Sequence, residues 1–140
     1  MKRLKFLAPL TALLLLAALL VGCSAGISGE TARLTIEAFF DAISAGDLEE
    51  AQRNVHPGTA IDVRDFLADE EARLGVAFGD GIEIKEFTGF HSSVYDSKYD
   101  GSQYTLHMKL TVGSEEIRST VTVVSNGKGT GIYSVSFSEK

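Results

Sequence analysis

The stretch I-E-A-F-F-D-A-I-S-A-G-D-L-E-E-A, from Ile36 to Ala51, decides the fold. Ile36, Phe39, Phe40 and Ile43 recur at i, i+3, i+4 and i+7, which places four large apolar side chains on one helix face. Such a face demands burial. Gly46 comes after the last periodic turn, where a left-handed C-terminal residue is expected. Asp47 then opens D-x-x-E with Glu50, the pattern of a capping box. Two helices meeting at a sharp corner are therefore predicted, the first over Thr31–Ala45 and the second over Asp47–Val55.

Working outward, Asn54-Val55-His56-Pro57-Gly58 ends the second helix, because proline and glycine together disfavour its continuation. A third helix is predicted from about Ala60 to Phe78, with Val63, Phe66, Leu67, Glu70 and Leu74 on one stripe and Gly79 and Gly81 closing it. Beyond Gly81 the period falls to two. Tyr104, Leu106, Met108, Leu110 and Val112 alternate with Thr105, His107, Lys109 and Thr111, the mark of a strand with one covered face. Ile117, Val121 and Val123 continue that face in a third strand, and Tyr133, Val135 and Phe137 in a fourth. The first strand, from Ile82 to about Tyr95, loses its phase near Glu86-Phe87, as a bulge would cause. Asp100-Gly101, Gly113-Ser114 and Asn126-Gly127 supply tight hairpins, so the sheet is an antiparallel meander. The fold class is α+β, with three N-terminal helices packed on a curled four-stranded sheet.

Upstream, Lys2, Arg3 and Lys5 precede a Leu/Ala-rich run from Phe6 to Val21, the layout of a secretory signal peptide. A short membrane-spanning helix with an incidental cysteine is the competing reading. Leu20-Val21-Gly22-Cys23 resembles the lipobox of bacterial lipoproteins, in which the chain is cut before the cysteine and the thiol carries diacylglycerol. That resemblance implies a leader over 1–22, a lipidated Cys23 and a short flexible linker over 23–29, then a domain over 30–140. It also implies anchoring outside the cytoplasm, on the outer face of the cytoplasmic membrane or at an outer membrane. Ser24 is compatible with outer-membrane sorting.

The formal charge of −6 understates the acidity of the chain beyond the leader. Of 13 Lys and Arg, 3 lie in the leader, so the remainder carries 10 against 19 acidic residues, a formal −9. Such a surface argues against nucleic acid or anionic headgroups as partners, since both require clustered cations. Cys23 is the only cysteine, which excludes an intramolecular disulfide.

The corner F-F-D-A-I-S-A-G-D-L-E-E-A, succeeded by a bent meander, resembles the first-helix corner of the nuclear transport factor 2-like superfamily. The resemblance covers Thr31 to Lys140. Cystatin-like proteins share the layout of a helix against a meander, but fit three helices less well. The superfamily resemblance implies a cone whose interior can form a pocket, and Phe40, Phe66, Tyr104, Met108 and Phe137 are the candidate walls. It is nearly silent about function, because the superfamily holds isomerases, dehydratases, transport factors and lipoproteins of unknown role.

Two functional classes are compatible with these features. The first is a lipid-anchored, non-catalytic module that binds a small apolar ligand or another envelope protein. The alternative is a small enzyme of the ketosteroid isomerase or SnoaL-like kind, with Glu70 or Glu86 as general base and Tyr104 donating to a developing oxyanion. His91 and Asp96 on the first strand are weaker candidates. Thr105, His107, Lys109, Thr111, Thr120 and Thr122 make a threonine-rich outer face, the face through which superfamily members often dimerise. His56, His91 and His107 lack paired zinc spacing, and Asp96 to Asp100 lacks that of a calcium loop. Gly127-Lys128-Gly129 is too short for a phosphate loop, so no metal or cofactor is assigned.

Overall fold

The computed structural model describes residues 26–140; the leader and Cys23 lie outside the described residues. Helix α1 spans Gly29–Ser44, α2 Leu48–Arg53 and α3 Val63–Leu74, and a short 3₁₀ turn covers Phe78–Asp80. Strands β1 (Ile82–Asp96), β2 (Gly101–Val112), β3 (Glu115–Asn126) and β4 (Gly129–Glu139) form one sheet in the order β1-β2-β3-β4. All three pairings are antiparallel, so the α+β layout with its meander is as predicted.

Helix α1 begins two residues earlier than its apolar periodicity suggested, because Ser28 caps it by accepting the Thr31 N–H. At its other end Gly46 takes φ 73°. The Gly46 N–H reaches the Ile43 carbonyl at 3.0 Å and the Asp47 N–H the Ala42 carbonyl at 2.9 Å. This pair of bonds is the Schellman arrangement, and it makes the corner between α1 and α2. The capping box is only half formed. Asp47 accepts the Glu50 N–H, but the Glu50 side chain turns to Arg53 instead of reaching back. Gly46→Ala should therefore cost about 1 kcal/mol, since a Cβ is strained at positive φ even where the surrounding space is open. The shift in urea midpoint at constant slope measures it.

Helix α3 is shorter than predicted. Gly75, at φ 68°, closes it with its N–H on the Glu71 carbonyl, ahead of Gly79 and Gly81. Phe78 is thereby freed from the helix and is buried at 1 % exposure, its ring 5.1 Å from that of Phe137.

The long first strand does lose phase, at three places: between Ile84 and Glu86, Phe87 and Gly89, and Ser93 and Asp96. Each irregularity bends the strand. Two hairpins differ by a residue or more from expectation. Gly101 lies within β2 and the turn is made by residues 97–100, while Gly127 and Lys128 turn between β3 and β4. Gly101 is demanded by crowding, because a Cβ there would lie 2.2 Å from the Ser125 carbonyl oxygen.

Tyr133 does not belong to the inward stripe. A bulge between Thr122 and Val123 in the β3–β4 register sets Ile132, at 0 % exposure, inward opposite Val123. Tyr133 instead packs against His56 and Tyr99 at one end of the sheet. The inward face is otherwise as expected: Leu106, Met108, Leu110, Val112, Ile117, Val121, Val123 and Phe137 are buried against Ile36, Phe39, Phe40 and Ile43 of α1. Val55 forms a parallel bridge with Ile132, which covers part of the β4 edge.

The last three residues of the stretch 23–29, Ile27, Ser28 and Gly29, are held by the domain. The Ile27 N–H donates to the Ser102 hydroxyl at 3.0 Å, Ile27 packs on the core, and Ser28 and Gly29 belong to the helix start. Ile27 is the reason: one large apolar residue amid small ones finds a place to bury.

Candidate functional site

The side chains named as pocket walls are packing partners. Phe40, Met108 and Phe137 are 1 %, 1 % and 5 % exposed, and Phe66 and Tyr104 are partly buried against them. Phe137 sits at the centre, with ring centroids of Phe40, Phe66 and Phe78 at 6.3, 6.0 and 5.1 Å. These are distances of direct aromatic contact. Phe40 also borders a shallow groove with Glu37, Asp41 and Ile82, and this groove lies open to solvent.

The three candidate catalytic groups are not brought together. Glu70 lies on α3 and is tied to Arg73, whose guanidinium also donates to the Phe137 carbonyl at 2.7 Å. The hydrogen bond to Glu70 raises the Arg73 pKa above its ordinary value. Glu86 stands at the β1 bulge, 61 % exposed, and pairs with Lys109 at 3.5 Å. Tyr104 stacks on Phe90, with centroids 5.6 Å apart and planes 15° apart, and its hydroxyl lies beside Gly29. Among the described residues no hydrogen bond joins any two of Glu70, Glu86 and Tyr104, and none of them lines the cleft at His56 or the groove at Phe40. A general base needs a reacting atom within hydrogen-bond reach, and each glutamate is engaged by a cation instead, Glu70 by Arg73 and Glu86 by Lys109. His91 is exposed on β1, and the Asp96 carboxylate accepts the Lys98 N–H within the turn.

On the outward sheet face Thr105, Thr122, His107 and Thr120 bond one another in pairs, and Thr122 is buried at 7 % exposure. Thr105 and Thr122 stand opposite in register with their hydroxyl oxygens 2.7 Å apart, and His107 meets Thr120 at 2.9 Å. Lys109 faces Arg118 across β2–β3, a repulsive cross-strand pair that Glu86 offsets from the other side. Thr111 pairs with Glu116.

One polar site was not legible in the sequence. A cleft of about 290 Å³ opens where the β1–β2 and β3–β4 hairpins meet the chain after α2, lined by His56, Lys98, Tyr99, Asp100, Asn126, Lys128 and Tyr133. His56 is buried at 1 % exposure and forms its floor. The His56 Nδ1 accepts the Gly58 N–H at 2.8 Å, so in the neutral ring the proton sits on Nε2. That Nε2–H faces the Asn126 Oδ1 at 2.9 Å and the Gly129 carbonyl at 3.1 Å. The Asn126 amide donates onward to the Tyr99 carbonyl at 2.8 Å, and its Oδ1 also accepts the Lys128 N–H. Both ring nitrogens are thus engaged, which leaves His56 a fastener between three loops and no free base. In the sequence the ending N-V-H-P-G marks His56 and the hairpin dipeptide marks Asn126, and nothing there relates the two.

At the tip of the same β1–β2 hairpin, the Tyr95 hydroxyl bonds the Asp100 carboxylate at 3.1 Å, which raises the tyrosine above its ordinary 10.0. Tyr95, Phe90 and Val94 are 63 %, 66 % and 74 % exposed, an apolar run on the edge strand that periodicity did not single out. Among the described residues no group of three His, Cys, Asp or Glu is placed to hold a metal ion, and no helix is long and apolar enough to cross a membrane. In comparisons with known proteins, no family model, no curated protein and no solved structure matches the chain.

Proposed function

We propose that the chain is a bacterial lipoprotein in which Cys23 carries the lipid anchor and holds a nuclear transport factor 2-like domain outside the cytoplasm as a non-catalytic interaction module. The lipobox L-V-G-C supports the anchor, and the Schellman corner leading into a bent meander supports the superfamily reading. What carries the non-catalytic reading is the filled interior: aromatic rings surround Phe137 where a substrate would sit. A ligand inside the cone would have to displace them, so the module works through its surface. The threonine-rich outward face is the partner surface in this reading, for a second copy or an envelope protein.

Cys23→Ala tests the anchor. The expected result is an uncleaved precursor that takes up no fatty-acid probe, and unchanged processing would refute the reading. The filled interior is tested apart from it. Small apolar compounds such as benzene and steroids should leave the melting temperature of the wild-type protein unmoved, because a ligand that binds only the folded state would raise it. A raised melting temperature would restore the ligand-binding function.

A further inference from the structure

We propose that the exposed apolar part of β1, from Phe87 to Tyr95, is a membrane-docking edge whose occupant is the phospholipid surface that receives the Cys23 anchor. This rests on the lipoprotein reading above and adds an orientation to it.

The composition of the strand is the first observation. In a chain with 19 acidic residues, Phe87-Thr88-Gly89-Phe90-His91-Ser92-Ser93-Val94-Tyr95 contains no Asp, Glu, Lys or Arg. β1 is an edge strand, and edges exposed to water are ordinarily guarded by charge. Here Phe90, Val94 and Tyr95 stand mostly exposed instead.

The path of the chain is the second observation, and it is independent of the first. Gly26 lies against this strand: a Cβ on it would be 3.2 Å from the Val94 Cα and 3.2 Å from the Ser102 Cβ. The Ile27 N–H is fixed to the Ser102 hydroxyl, and α1 starts at Gly29 beside Tyr104, whose ring stacks on Phe90. Three peptide steps separate Gly26 from Cys23, a reach of at most about 11 Å. The Cys23 Cα therefore lies within about 1.5 nm of Val94, and a diacylglycerol on it enters the bilayer close beside this strand. Tethering at that range makes contact between patch and lipid intramolecular, so even weak affinity suffices to hold it.

The chemistry fits the boundary between headgroups and acyl chains. Tyr95 presents an exposed ring and keeps its hydroxyl on Asp100, the division of apolar body and polar tip that suits this depth. Asp96 and Asp100 flank the patch, with Lys98 between them, and keep insertion shallow. Backbone groups on the free β1 edge remain hydrated at that depth, whereas hydrocarbon would not satisfy them. A second copy pairing along the edge is disfavoured by the three register irregularities of β1, which break a continuous ladder.

The chain contains no tryptophan, so a single introduced one reports its own surroundings. Full-length protein, processed in cells and purified in its acylated form, is reconstituted into zwitterionic phosphatidylethanolamine–phosphatidylcholine vesicles with and without brominated acyl chains. With Val94→Trp, emission should shift to the blue in vesicles and lose more than half its intensity to brominated lipid. Ser138→Trp, exposed on β4, should do neither. Flotation and the acyl mass are read first. A chain that neither floats nor carries acyl groups refutes the anchor and the docking edge together. An acylated, floating chain with Val94→Trp unquenched refutes the docking edge alone. A blue shift without bromine quenching, with a doubled mass in detergent, identifies a second copy on the edge and likewise overturns the proposal.

Discussion

Phe137→Ala is expected to destabilise the domain by about 4 kcal/mol, in the range for deleting a buried aromatic ring. Two terms combine. The ring is 5 % exposed and is touched by Phe40, Phe66 and Phe78, so its removal forfeits both transfer free energy and the contacts of three neighbours. The site cannot collapse easily, because those neighbours are held by α1, α3 and the turn at Phe78–Asp80. A loss of that size is a large part of the stability of a small domain, so the variant should melt at much lower temperature or fail to fold. Urea unfolding at unchanged slope gives the number. The same variant bears on function. An apolar cavity left by Phe137 should bind benzene and recover melting temperature with it, whereas the wild type should not respond. A wild-type response equal to that of the variant would show that the interior already has room.

His56→Ala is expected to cost about 3 kcal/mol, although the residue lies outside the ring cluster around Phe137. The substitution leaves the Gly58 N–H, the Gly129 carbonyl and one bond of Asn126 without their partner, and it removes a ring packed on Tyr133. Buried polar groups deprived of a partner cost more than the bond itself contributed. Asn126→Ala should cost a similar amount, because Asn126 links His56, Tyr99 and Lys128. The double variant should then lose less than the sum, since the two residues share one network. A strictly additive result would show that His56 and Asn126 stabilise the hairpins independently. Amide exchange at Gly58 and Lys128 should quicken locally in either variant.

Glu70 and His56 together show why some of the site was legible in the sequence and some was not. Glu70 stands out as one charge on an apolar helical stripe, and the alternative, catalytic reading aims it into the core as a general base. It is instead paired one turn away with Arg73, a local solution visible at i+3 spacing. Glu86 left the interior for a similarly local reason, the bulge that its own stretch of sequence announced. Tyr133 was misplaced because a bulge in β4 has no marker in a run of alternating residues. His56 and Asn126 are separated by 70 residues, and no periodicity relates them.

The sequence alone determined the elements and their class. Apolar spacing on α1, glycine at the corner and period-two alternation after Gly81 are local properties, set by sterics and by which face must leave water. Tertiary structure alone decided how the rings between helices and sheet pack, where each carboxylate points and what the chain at Gly26 lies against. Those outcomes depend on how rings from distant segments fill one volume and on how bulges turn a strand. Packing is a property of the assembled set of side chains, and no single segment carries it.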